Sequence, residues 1–188
     1  MGKINSLLIA FYCLSSVVSV SNSKAPARTA GAEKIIKEAH DKQKIEIDEK
    51  VNIPKIAIKA TKQKLTAEQF KRLKPYIQRY IQIILDTEAF RKILKTKIKK
   101  IVFRQTKTLI IAFVTLEDAT KYKVIFSNDG KIIDVMYLDI SLTSSIRSLY
   151  EKHINTKKIP NKQTAEDVIR IMIQAIDEYI EQNKKSKK

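Results

Sequence analysis

An α+β fold follows from three features of the sequence. Apolar residues recur at helical spacing up to about Leu94, β-rich runs separated by short turns occupy Ile101 to Leu138, and helical spacing returns from Leu142 to Ile180. Four runs at short spacing predict a four-stranded antiparallel sheet packed with helices. The chain has 188 residues, of which 44% are hydrophobic, enough to bury a core.

The first helix is expected from about Ala32 to Ile47, where Ile35, Ile36 and Ala39 sit among Lys and Glu. Asn52 caps a second helix with Pro54 in its first turn, where a missing N–H costs nothing; Ile53, Ile56, Ala57 and Ala60 form its face. Thr66-Ala-Glu-Gln69 is a capping box. The long helix after it carries Phe70, Leu73, Ile77, Tyr80, Ile81 and Ile84 as one stripe, with Pro75 inside it as the expected kink. Phe90, Ile93 and Leu94 make a further short helix.

The strand runs are Ile101 to Phe103, Leu109 to Leu116, Tyr122 to Phe126 and Ile132 to Leu138. Lys121, Lys123 and Ile125 alternate with Tyr122, Val124 and Phe126, so the third run has one wetter face. The second is apolar on both parities, as a central strand should be. Asn128-Asp-Gly130 supplies the positive φ of a hairpin turn. Leu142, Ile146, Leu149, Tyr150 and Ile154 restore helical spacing, and Thr164 caps a last helix carrying Val168 to Ile180.

At the start, Lys3, an apolar stretch from Leu7 to Val20 and small polar residues to Ala25 read as a cleaved secretory signal peptide. The stretch is short for a membrane span, which needs roughly 20 apolar residues, and retention as an uncleaved anchor is the alternative. Gly2 with Ser6 also fits a myristoylation pattern, which would leave the apolar run unexplained. Cys13 follows Phe11 and Tyr12, too bulky for a lipoprotein box. The expected organisation is a signal peptide over 1–23, a flexible leader over 24–31, one domain over 32–183 and a basic tail over 184–188.

Composition argues against most catalytic chemistry. One Cys and two His, His40 and His153, give little for a metal centre or a triad; no metal site and no cofactor are expected. Three Gly cannot build a phosphate loop. His153, on a helix with Glu151 and Lys152 beside it, reads as exposed. Asp134 and Asp139 are spaced for opposite faces, which is poor for a carboxylate pair.

The net charge of +17 has three readings. Runs such as Lys92 to Lys107 suit phosphates, yet aromatics are not interleaved with them and Arg is scarce, so nucleic acid is not expected. A Lys-heavy solvated surface is the plainest explanation, and attraction to anionic lipid lies between the two. Ile and Leu at helical spacing are ordinarily core. Here they are numerous, long and without Trp, so they could instead line a cavity for alkyl chains, and periodicity does not separate the two.

The stretch Ile133 to Tyr150 resembles the signature of the MlaC, or toluene-tolerance auxiliary, family: a strand reading roughly Y-D-V-x-x-E-G-[VI]-S-L that runs into a helix with Y-R-x-x-[FY]. Asp134, Val135, Ile140, Ser141, Leu142, Arg147 and Tyr150 stand at matching places. Asn52-Ile-Pro-Lys-Ile-Ala57 and Lys64-Leu-Thr-Ala-Glu-Gln-Phe70 are similar to the family's second segment. Leu138-Asp139 replace its Glu-Gly, Gly130-Lys131 stand where a Trp is expected, and Ile133 replaces a Tyr. The likeness covers most of residues 32–155.

The resemblance implies a nuclear-transport-factor-2-like fold with an added helical part, in a non-enzymatic periplasmic protein of a Gram-negative bacterium. It implies a shuttle of phospholipid between outer and inner membranes, working with an outer-membrane lipoprotein complex and an inner-membrane lipid ABC transporter. Acyl chains would lie between sheet and helices, the phospholipid being cargo rather than cofactor. A monomer is expected. The expected lining is Leu73, Ile77, Tyr80, Ile81 and Ile84 from the long helix with Phe113, Val124, Phe126, Val135 and Tyr137 from the sheet. An exported adaptor of similar fold, with a filled core and a membrane-protein partner, is the alternative.

Overall fold

A computed structural model describes residues 27–138, 140–160 and 163–185. The expected signal peptide and Asp139 lie outside the described residues.

Helix α1 spans Ala27–Asp41. It begins inside the expected leader because Thr29 and Ala32 pack into the core, and small residues carry little amphipathic signal. It also ends earlier than expected: Gln43 takes φ 50°, and the Lys44 amide returns to the Ala39 carbonyl at 3.0 Å, a Schellman-type stop. A short α2, Ile47–Lys50, follows.

Helix α3, Ile53–Thr61, starts as the sequence predicts. The Asn52 side chain accepts from the Lys55 amide at 3.1 Å, with Pro54 in the first turn. Helix α4, Ala67–Leu85, has both halves of the Thr66–Gln69 capping box, at 3.2 and 3.0 Å, and continues through Pro75. Thr87 caps α5, Glu88–Lys95, which buries Phe90, Ile93 and Leu94.

The sheet has five strands in the order β1-β2-β3-β4-β5, each antiparallel to the next. They are β1 Ile98–Gln105, β2 Leu109–Leu116, β3 Lys121–Ser127, β4 Ile132–Tyr137 and the two-residue β5 Ile140–Ser141. The four expected strands are present, and β5 is an addition. At the β3–β4 hairpin Gly130 takes φ 76°, the positive value its turn requires.

Helix α6, Leu142–Lys157, follows β5 directly, with the Ser141 hydroxyl accepting from the Ser144 amide at 3.0 Å. Helix α7 is Ala165–Lys185, reaching two residues into the expected tail. Thr164 caps it, accepting from the Asp167 amide at 3.1 Å while the Asp167 carboxylate accepts from the Thr164 amide at 3.2 Å. Helices α3, α4, α6 and α7 pack on one another, and α1 lies against β1, β2 and α5. A single apolar core joins these helices to the inner face of the sheet, formed by Ile110, Ala112, Val114, Tyr122, Val124 and Phe126.

Candidate functional site

The seam between α4 and the sheet is where the sequence places a lipid cavity. Nine of the ten expected lining residues belong to the common core. Leu73, Ile77, Tyr80, Ile81, Val124, Phe126 and Val135 are buried, while Ile84 and Tyr137 are half-buried against them.

Phe113 does not join them. Its cross-strand partners are Val102 and Lys123, so it lies on the opposite face of the sheet, 37% exposed. The Lys123 ammonium stands 5.9 Å from its ring centroid. The inward residues of β2 are Ile110, Ala112, Val114 and Leu116, which the apolarity of both parities concealed. The wet parity of β3 was the available signal, because Phe113 pairs with Lys123.

The seam is closed. A side chain facing a lumen wide enough for a hydrocarbon tail exposes surface to it, and Leu73, Ile77 and Phe126 expose none. The expected preformed pocket is therefore filled by its own walls, as interior packing density favours. Much of that filling comes from Ile56, Ile146, Ile169, Met172 and Ile176 of the other helices, which the sequence marks as apolar helix faces and not as cavity lining.

Polar groups lie around the seam rather than in it. Tyr80 is tilted against Tyr179 at a centroid distance of 5.1 Å, and burial pushes its hydroxyl up to about 12, with Tyr179 adding to the shift. The Tyr122 hydroxyl, raised by burial, donates to His40 Nε2 at 2.6 Å, and His40 Nδ1 donates to the Thr96 carbonyl at 3.1 Å. Burial holds His40 below the usual histidine value, against the Thr96 bond and Asp41, which raise it. Among the described residues no side-chain hydrogen bond or ion pair runs from α4 to the sheet. The polar partners of α4 lie elsewhere: Gln69 and Arg72 bond Glu166 of α7, and Gln78 bonds Asp48 of α2.

The signature residues form a structural corner. The buried Asp134 carboxylate accepts from the Ser141 hydroxyl at 2.7 Å, the Thr143 amide at 3.2 Å and the Val135 amide at 3.0 Å. It thereby fixes the passage from β4 into α6. Leu142 is buried beside it. Arg147 reaches across to α3, donating to the Ala60 carbonyl at 3.3 Å and to the Lys59 carbonyl. Tyr150 is half-buried at the edge of the core, and its hydroxyl is raised, mainly by burial. The edge of β4 is also tied to α3: the Asn52 amide donates to the Ile132 carbonyl at 2.7 Å.

His153 is buried, 7% exposed, and its Nδ1 is 3.3 Å from Glu178 of α7. The exposed position expected from its charged neighbours is wrong. It falls seven residues after Ile146, on the inward stripe of α6. Beside it a solvent-open depression of about 670 Å³ is walled by Lys157, Asp177 and Glu178, a lining unsuited to an acyl chain. Among the described residues no cluster of three or more His, Cys, Asp or Glu could hold a metal ion. No helix there is long and apolar enough to cross a membrane.

Fold and site together define an α+β protein whose helical layer meets an antiparallel sheet through an aliphatic, closed seam. The chain matches no protein-family model, and no curated protein matches it.

Proposed function

We propose that the protein is a non-enzymatic periplasmic phospholipid carrier of nuclear-transport-factor-2-like fold, as its resemblance to MlaC implies. Acyl chains enter between α4 and the sheet. The observation that carries this reading is the make-up of the seam. The α4 and sheet side chains that meet there are aliphatic and aromatic. Of the buried polar side chains, Asn52, Thr61, Ser127, Asp134 and Thr143 sit at element ends and corners, Thr29 is in the first turn of α1 and His153 of α6 faces α7. No directional bond runs from α4 to the sheet, so α4 parts from it without leaving a polar group unpaired, while the helix-to-sheet bonds of His40 to Tyr122 and of Asn52 to Ile132 stay in place. Each methylene buried between them returns roughly 0.8 kcal/mol against exposure to water. In the wider scheme the carrier exchanges lipid with an outer-membrane lipoprotein complex and an inner-membrane lipid ABC transporter.

The closed seam favours a second reading, an exported adaptor of the same fold that binds a membrane protein and takes no lipid. Organic extraction separates the two. The protein is expressed with its membranes intact, purified, extracted and analysed for phospholipid. A carrier yields phospholipid in stoichiometric amount; a clean extract removes the carrier reading and leaves the adaptor.

A further inference from the structure

Beyond the β4–α6 corner that buries Asp134, the face of the sheet turned away from the helices has no covering element among the described residues. Its composition is unusual for a bare surface. One cross-strand row reads Val102, Phe113, Lys123, Met136, and the next reads Arg104, Ile111, Ile125, Asp134. Lys100 and Lys121 flank Thr115 in a third. Val102 and Phe113 are 40% and 37% exposed. The one carboxylate in these rows, Asp134, is buried in the β4–α6 corner, so the charge presented is positive. The exposed Glu117 and Asp118 belong to the β2–β3 turn at the sheet's end.

The corner of this face carries a second anomaly. Leu138 takes φ 48°, a left-handed conformation that Gly or Asn adopts at lower cost, and is 72% exposed. An aliphatic side chain is thus held in water on a strained backbone, where neither packing nor backbone geometry explains it. Leu138 borders an open depression of about 530 Å³ that Phe113, Lys121, Lys123 and Met136 also line.

We propose that this face docks on an anionic bilayer, with Leu138 entering the headgroup layer. Protein interfaces separate an apolar centre from a polar rim. Here lysines and apolar side chains alternate within single rows, and Lys123 lies over Phe113 itself. That interleaving suits a headgroup layer, where rings and methylene stems occupy the interface and ammonium groups reach phosphates. The face lies across the sheet from the seam, so docking holds whether the interior carries lipid or is filled.

The test is co-sedimentation of the full chain with vesicles of phosphatidylcholine, alone or mixed with phosphatidylglycerol. Binding is expected to be stronger with the anionic lipid, the excess falling as salt rises. Lys121→Gln with Lys123→Gln should weaken it about tenfold or more. Leu138→Asn should also weaken it while raising Tm by about 2 °C, since Asn tolerates the left-handed backbone. Every variant keeps the apolar segment Leu7 to Val20, whose contribution cancels in the comparison. Equal binding by parent and variants, or equal binding to neutral vesicles, overturns the proposal. Salt-sensitive binding of polyglutamate without binding of vesicles also overturns it and assigns the face to an acidic protein. Organic extraction reads only the seam, so either result can fail without the other.

Discussion

His40, near the end of α1, ties three separated stretches of chain: its own helix, the Thr96 carbonyl after α5 and the Tyr122 hydroxyl on β3. Both bonds are met by the neutral ring, with the proton on Nδ1. Protonating Nε2 places a second donor against the Tyr122 hydroxyl and a charge in a half-buried position. Its folded pKa therefore lies below the unfolded value of about 6.5. The unfolded chain binds the proton first on acidification, so the stability His40 contributes is complete above about pH 6.5 and is lost as pH falls. Urea midpoints of parent and His40→Gln should converge between pH 7.5 and pH 5. A gap that stays constant over that range rules out this account of His40.

At the scale of elements, local chemistry made helix starts legible and long-range pairing hid the faces. Thr66 with Gln69, Asn52 with Pro54, and Thr164 each act within four residues, and each cap forms. Which parity of β2 turns inward depends on its register with β3, a property of two strands, and apolarity on both sides gave no hint of it. The signature residues were legible as a group, yet not as what they are here, the joint between β4, α6 and α3. Asp134→Ala removes the acceptor of three hydrogen bonds in a buried site and strands the Thr143 amide. It should cost about 3 kcal/mol in a urea titration. Asp134→Asn keeps an acceptor oxygen and should cost about 1 kcal/mol. Equal losses for the two would mean that the carboxylate's volume, rather than its hydrogen bonds, holds the corner.

At the scale of the molecule, the sequence could specify an aliphatic interior but not whether its walls meet, because periodicity reports direction and not distance. The closed seam and a lipid-bearing seam differ in what one deletion does. Phe126 is wholly buried where the inner face of the sheet meets the helices. In protein stripped of lipid, Phe126→Ala leaves a void lined by neighbours that cannot all collapse, and should cost about 3–5 kcal/mol. In protein purified with an acyl chain between the layers, alkyl carbon flows into the space the ring vacates and the loss shrinks. The measurement is the Phe126→Ala penalty, from urea midpoints, before and after delipidation. A carrier shows a small penalty that grows on stripping; a filled-core adaptor shows the full penalty throughout, and that outcome would retire the carrier.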